Sequence, residues 1–350
     1  MDSKSSTSEL VRTVLQCYPA SYRSDSCELF PCGRGFSGAI VCRVETPLGL
    51  FCLRGWPPQS YPVERILGLH SLLGYVFREG VTQVSVPLES LAGETLVEQH
   101  SRLWQLEPWM PGIANFHDYP SQLELKKNKL KSAMRCLANF HTATKTFQPT
   151  EKQHAWFFVK ETGYSATVRE RLQFLKSFDN DSEDSLSNLS PENTPVELKQ
   201  LLWKVVSSFR RMRPEIENNL TLCSNERYPL QPCLKDIWHD HVLFTKDEVT
   251  GLVDASACRS DSIATDLSRL LGSFCGIDRQ LWDVAFKEYE THRHLSIEEK
   301  ILVEVLDRSG VLLSGMNWVE KFRRNESDRK DFPRIAKRLK LIVQCLESFA

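Results

Sequence analysis

The strongest constraint on the fold of this chain lies between Leu234 and Leu271, where acidic residues bracket a short hairpin. Asp236 opens the loop Asp236-Ile237-Trp238-His239-Asp240-His241, which leads into the apolar run Val242-Leu243-Phe244. The polar turn Thr245-Lys246-Asp247-Glu248 follows, and the chain returns through Val249-Thr250-Gly251-Leu252-Val253 to Asp254. Apolar and β-branched residues on both sides of a short polar turn predict two antiparallel strands, and a hairpin sets the outer ends of its strands side by side. Asp236 and Asp254 are therefore expected to face one another across a small gap. Asp also stands at hairpin ends for turn reasons alone, so a second segment is needed to give the pair a meaning.

That segment is Gly33-Arg34-Gly35-Phe36-Ser37-Gly38, a full G-x-G-x-x-G. Such a motif opens a helix in dinucleotide-binding proteins. Here it runs instead into Ala39-Ile40-Val41-Cys42-Arg43-Val44, a short β-branched stretch closed by Thr46-Pro47-Leu48-Gly49, which reads as a strand. A glycine-rich turn between strands lets bare backbone approach phosphate oxygens, because no Cβ intervenes. An ordinary β-meander with glycines at its turns also accounts for the glycines. The next strand, Leu50-Phe51-Cys52-Leu53-Arg54, ends in a cation, where a kinase places a side chain that reaches the α/β-phosphates. Phosphoryl transfer needs one carboxylate to orient the attacking hydroxyl and another to hold the metal that bridges the phosphates; Asp236 and Asp254 fit those two tasks.

The order glycine-rich hairpin, cation-ending strand, helix, connector, long helix, Asp loop, hairpin, Asp254, helix resembles that of the aminoglycoside phosphotransferase and choline kinase-like small-molecule kinases. The resemblance is carried by Gly33 to Ala39, Glu107-Pro108-Trp109-Met110-Pro111-Gly112, Leu137-Ala138-Asn139-Phe140-His141, Asp236 to Phe244, and Gly251 to Asp254 with Asp266-Leu267. It covers roughly residues 28 to 345, and the ordered set is far more specific than any single member. It implies a two-lobed α+β protein-kinase-like fold, a small antiparallel sheet followed by a larger helical lobe. It also implies transfer of the γ-phosphoryl group of ATP to a hydroxyl of a small molecule, with Mg²⁺ or Mn²⁺. On this resemblance Asp236 is the catalytic base. Asp254 and His241 stand on the metal side. Gly33, Gly35, Phe36, Ser37, Gly38, Arg54, Glu64, Glu107 and Trp109 belong to the nucleotide site.

Three positions depart from the family pattern. Leu234-Lys235-Asp236 stands where His-Gly-Asp is usual, His241 where a metal-binding Asn is usual, and Arg54 where a Lys is usual. Mg²⁺ prefers oxygen and imidazole suits softer metals, while a guanidinium keeps the charge of Lys in a larger planar fork. A catalytically weak nucleotide-binding regulatory protein is therefore an alternative. A metal-dependent hydrolase is another, because His239-x-His241 and His292-x-His294 are both H-x-H pairs.

The rest of the chain places these residues. A short helix is expected over Glu9–Cys17, another over Val63–Phe77 with Glu64 in its first turn, and strands near Thr95–Glu98 and Arg102–Leu106. Glu64 either pairs with the strand cation, as the corresponding helix does in kinases, or answers the helix dipole. The connector Glu107 to Gly112 marks a boundary between a nucleotide-binding lobe, residues 1–107, and a catalytic and substrate lobe, residues 108–350. Beyond it come a core helix through Leu123, Leu130, Met134, Leu137 and Phe140, with Lys126, Lys127, Lys129 and Lys131 on a solvated face, and helices over Ala166–Lys176, Val196–Arg211 and from Asp266 onward. Asp266 is expected to cap the last of these, although the resemblance implies that the Asp at this place also braces the loop that carries Asp236. The Ser-, Asn- and acid-rich stretch 179–195 reads as a mobile surface loop.

Composition narrows the setting. Among 350 residues the formal net charge is -1, which offers no bulk attraction to nucleic acid or to an acidic membrane. The 11 cysteines are scattered without a C-x-x-C pair; reduced thiols in the cytoplasm fit this better than a disulfide framework. The start Met1-Asp2-Ser3-Lys4-Ser5-Ser6-Thr7 has no apolar core of a signal peptide, and no apolar run approaches membrane-spanning length. The acceptor is expected to be a small hydroxylated molecule.

Overall fold

The computed structural model describes residues 3–24, 27–30, 38–118, 122–178, 194–324, 326 and 331–349. Gly33, Gly35, Phe36 and Ser37 of the glycine-rich turn, and nearly all of the stretch 179–195, lie outside these residues. The chain forms two compact units, residues 1–158 with 239–258 and residues 159–238 with 259–350. The first unit thus takes in the connector, the long helix after it and the hairpin, in addition to the segment before Glu107.

In the first unit, helix α1 (Ser3–Leu15) precedes strands β1 (Cys27–Phe30), β2 (Ile40–Thr46) and β3 (Gly49–Gly55), helix α2 (Val63–Arg78), and strands β4 (Val97–Gln99) and β5 (Arg102–Pro108). The five strands form one antiparallel sheet in the order β1-β2-β3-β5-β4. Alternation along β3 turns Phe51 and Leu53 inward, where they pack with Val44, Trp104 and Leu106 of the sheet and with Val11, Val14 and Leu15 of α1. Each such side chain contributes about 1.5–3 kcal/mol on burial, which explains why α1 stays docked although its sequence starts with polar residues.

Helix α3 (Leu123–Thr144) and the hairpin of β6 (Val242–Thr245) and β7 (Glu248–Leu252) complete this unit. The hairpin lies within a residue of its expected span. It is tied to the connector by reciprocal bonds, Ile113 N–H to the Phe244 carbonyl at 3.0 Å and Phe244 N–H to the Ile113 carbonyl at 2.9 Å. Gly112 permits this, since its φ is +98° and a Cβ there would lie 2.8 Å from the Phe244 carbonyl oxygen. Lys129 corrects the reading of a solvated lysine face on α3. It is only 2% exposed, its Nζ donates to Asn115 Oδ1 at 2.6 Å, and it lies over the Phe244 ring. Burial lowers its pKa.

The second unit is mainly helical. It holds helices α4 (Ala166–Lys176), α5 (Val196–Asn225), α6 (Ala264–Phe274), α7 (Arg279–Glu290), α8 (Ile297–Arg323) and α9 (Phe332–Ser348) and a small antiparallel sheet of β8 (Lys160–Gly163), β9 (Tyr228–Cys233) and β10 (Arg259–Asp261). Helix α8 packs against α4, α5, α6 and α9. Its start is fixed by a capping box in which Ser296 and Glu299 exchange side-chain bonds with each other's backbone N–H. Helix α5 runs through Pro214 and on to Asn225 rather than stopping near Arg211. Among the described residues no helix is long and apolar enough to cross a membrane.

Candidate active site

In the first unit the end of β7 is held from two sides before the chain reaches Asp254. Leu252 N–H donates to the Gln83 carbonyl at 2.7 Å and Val253 N–H to the His241 carbonyl at 3.0 Å. Asp254 then takes the left-handed conformation, φ 58° and ψ 60°, which few residues other than Gly, Asn and Asp adopt without strain. From the other side Arg65 of α2, buried under the Tyr61 ring, donates to the carbonyls of Ser256 and Cys258 at 2.9 and 3.3 Å.

Arg54 closes this arrangement. Its Nη2 meets Asp254 Oδ1 at 2.7 Å, and Ser256 Oγ donates to the same oxygen at 2.7 Å. Burial by itself would raise the Asp254 pKa, but the Arg54 charge, the bonds from Ser256 and Arg54, and nearby His241 hold it down at about 2. No hydrogen bond reaches Asp254 Oδ2 among the described residues, and 37% of the side chain is exposed. Arg54 is 9% exposed, sits 5.0 Å from the Trp56 ring centroid, and has a buried Nε without a partner.

Glu107 is drawn into the same group through side chains that the sequence did not single out. Gln105 Nε2 donates to Glu107 Oε2 at 2.7 Å, and Gln105 Oε1 accepts from Trp56 Nε1 at 2.7 Å and from His70 Nε2 at 3.0 Å. His70 Nδ1 faces Thr95 Oγ1 at 2.7 Å. Because Oε1 can only accept, the His70 proton is on Nε2. Burial raises the Glu107 pKa while Arg54 opposes the rise, and burial beside Glu107 raises that of Cys52.

Not every expected nucleotide residue joins this group. Glu64 stands exposed in the first turn of α2, and among the described residues no ion pair links it to Arg54. The neighbouring Arg65 is the residue of that turn that reaches the Asp254 segment. The Trp109 ring lies beside Arg43, and the Trp109 backbone N–H donates to the Leu50 carbonyl at 3.1 Å. Gly38, the described member of the glycine-rich turn, has φ +69°, the conformation that motivates a glycine there.

In the second unit α6 clamps the loop that carries Asp236. Asp266, fully buried, accepts from Leu234 N–H at 2.7 Å and Lys235 N–H at 2.6 Å. It lies inside α6, which starts at Ala264, so its task is to brace this loop rather than to cap the helix. Three residues on, Arg269 gives Nη2 and Nε to Asp236 Oδ1 at 3.0 and 3.2 Å. Lys235 has φ 69°, which shows why a glycine suits that position. The lysine is anchored instead by Asp261 at 2.7 Å and by Thr167 Oγ1. Burial would raise the Asp261 pKa, but Lys235 and the other donors lower it.

The small antiparallel sheet and the mainly helical part make a protein-kinase-like α+β fold. The model of the phosphotransferase enzyme family matches residues 29–296, and the chain belongs to that family. Solved structures agree in fold. An aminoglycoside phosphotransferase from Alicyclobacillus acidocaldarius is 14% identical with a TM-score of 0.64, over 95% of this chain and 92% of that one. A microcompartment-associated aminopropanol kinase is 13% identical with a TM-score of 0.61, over 97% of both chains. A spectinomycin phosphotransferase, solved with ADP and spectinomycin, is 12% identical with a TM-score of 0.58, over 95% of this chain and 98% of that one. No curated protein sequence matches the chain at a significant level.

Proposed function

We propose that this chain transfers the γ-phosphoryl group of ATP to a hydroxyl of a small molecule in the cytoplasm. The observation that carries the reading is the Arg54–Asp254 pair at 2.7 Å. It joins Arg54, the proposed phosphate-binding cation, to Asp254, the proposed metal ligand, 200 residues apart in sequence. The donor set suits a magnesium nucleotide. Asp254 Oδ2 offers a hard oxygen, the buried Nε of Arg54 awaits an acceptor such as a phosphate oxygen, and His241 adds an imidazole near Asp254. Bound Mg²⁺ would supply charge neutralisation on the phosphate oxygens.

The remaining tasks fall to side chains. Arg54 binds phosphate, with Gly33, Gly35, Phe36, Ser37 and Gly38 as its cover, and Glu107 to Trp109 faces the base. In these terms residues 1–107 serve the nucleotide and residues 108–350 the chemistry. Asp236 accepts the proton of the acceptor hydroxyl, and Arg269 fixes its orientation. Nucleotide-dependent thermal shift tests the reading. Mg²⁺-ATP at a hundredfold excess over its dissociation constant should stabilise the protein by about 2.7 kcal/mol, and no shift with any purine nucleotide, with Mg²⁺ or Mn²⁺, would sink it. One observation favours a weakly catalytic nucleotide-binding protein instead: Arg269 holds Asp236 in an ion pair. Shift without turnover of any alcohol would support that second reading.

A further inference from the structure

Within the first unit the Arg54–Asp254 pair is enclosed by a closed circuit of side chains. Arg54 lies over the Trp56 ring, and Trp56 meets Tyr61 edge to face, with ring centroids 5.6 Å apart and planes at 86°. The guanidinium carbon of Arg65 lies 3.8 Å from the Tyr61 centroid. One nitrogen of that guanidinium, Nη2, donates to both the Ser256 and the Cys258 carbonyls, and Ser256 Oγ returns to Asp254 Oδ1. Arg65 is 7% exposed. A planar guanidinium can stack on a ring and donate from its edge at the same time, which an ammonium cannot.

The place of this circuit gives it a use. A left-handed backbone at a residue with a side chain persists only where its surroundings over-determine it. On the near side of Asp254, Leu252 and Val253 are tied to the Gln83 and His241 carbonyls. On the far side the chain enters the short turn Ala255–Ala257, and Arg65 spans it by taking the carbonyls two and four residues past the carboxylate. In protein kinases a glutamate of the corresponding helix pairs with the strand cation. Here Glu64 is exposed, and the next residue, Arg65, is the one turned inward. Helix α2 therefore reaches Asp254 through the main chain instead of reaching Arg54 through an ion pair.

Resting on the phosphotransferase reading above, we infer that Arg65 is a positioning residue for the metal carboxylate: it fixes the turn after Asp254 so that this side chain is presented to the metal of a bound nucleotide. Tyr61 holds the guanidinium against its ring, and α2 carries both the grip and its support. Arg65 touches neither nucleotide nor metal. Its effect is confined to the part of nucleotide affinity that the metal supplies, because Asp254 is the group it orients.

The test is calorimetric titration of the full chain with ATP, once with Mg²⁺ and once with EDTA. Mg²⁺ should strengthen ATP binding to the parent. Arg65→Gln should remove about tenfold of that gain while affinity in EDTA changes less than about threefold, and it should cost nothing further when added to Asp254→Asn. Arg65→Lys, which keeps the charge and a donor but not the planar face, should recover part of the loss. Tyr61→Leu leaves Arg65 in place and should lose a smaller part of the gain; with Arg65→Lys it decides the matter by the same ratio should Arg65→Gln fail to fold. Equal weakening with and without Mg²⁺ is general loosening of the unit and overturns the inference, as does a further loss beside Asp254→Asn. A parent that binds no nucleotide brings down the phosphotransferase reading and this inference with it. A parent whose Mg²⁺ gain survives unchanged in the Arg65 variants overturns the role of Arg65 alone.

Discussion

Asp266 and Arg269 stand three residues apart on α6, and together they hold one loop: the first takes the backbone N–H groups of Leu234 and Lys235, the second the side chain of Asp236. The spacing is that of one helical turn, so a single rigid element fixes both the path of the loop and the aim of its carboxylate.

The two members of this clamp should differ in what they do for stability. Asp266→Ala leaves the buried Leu234 N–H and the half-buried Lys235 N–H without their acceptor and should cost about 2–6 kcal/mol, at about 1–3 for each such group. Arg269→Gln removes an ion pair that is 38% and 47% exposed on its two sides, a class worth about 0–1 kcal/mol. Urea denaturation of both variants checks this, and equal losses would contradict the division of labour.

Nucleotide binding and transfer should separate between the two carboxylates. Asp236→Asn is expected to bind Mg²⁺-ATP like the parent and to lose transfer by about a hundredfold or more. Asp254→Asn should lose the metal-dependent part of nucleotide affinity. Titration of ATP with and without Mg²⁺ reads the difference, and unchanged metal dependence in Asp254→Asn would remove that residue from the metal.

How much of this was open to sequence reasoning depended on local signal. The hairpin after Asp236 is legible because its turn is polar and its strands are β-branched. The sheet of β8, β9 and β10 is not, because Tyr228–Cys233 contains Pro229 and Pro232, which argue against a strand, and its partners have only three or four residues. Pro214 hides the second half of α5 for the same kind of reason. Lys129 reads as solvated because nothing in its helix reveals Asn115 waiting fourteen residues upstream. Within the site, Asp236, Asp254 and Arg54 announce themselves by position. Arg65, Gln105, His70 and Arg269 do not, since their partners lie on other elements.

His241 offers a choice of metal. If its imidazole lies on the metal side, the parent should favour Mn²⁺ over Mg²⁺, and His241→Asn should hold or raise turnover with Mg²⁺ by supplying oxygen. Equal loss with both metals in the Asn variant would assign His241 to the loop instead, where its carbonyl already accepts from Val253.

Acid should destabilise the first unit through His70. Burial lowers its pKa to about 4, against about 6.5 unfolded, so the folded state excludes a proton that the unfolded state binds. Its contribution is complete above pH 6.5 and is lost as pH falls toward 4, by up to about 3 kcal/mol. Asp254 acts lower: held at about 2, it stabilises above about pH 4 and that gain disappears toward pH 2. Urea midpoints at pH 7, 5.5 and 4.5 should fall less steeply in His70→Gln than in the parent.

The left-handed backbone at Asp254 has a bearing on how any mutational survey of this protein should be read. At most positions an alanine is the neutral probe of a side chain, but here it exchanges a residue that tolerates φ 58° for one that resists it. A defect in Asp254→Ala would therefore mix a bent main chain with a missing carboxylate. Asparagine keeps both shape and conformational tolerance and changes only the charge. In a library of substitutions, Asn and Gly variants should remain folded where bulky β-branched ones do not, and the gap between those two groups would measure how tightly β7 and Arg65 hold the chain in that turn.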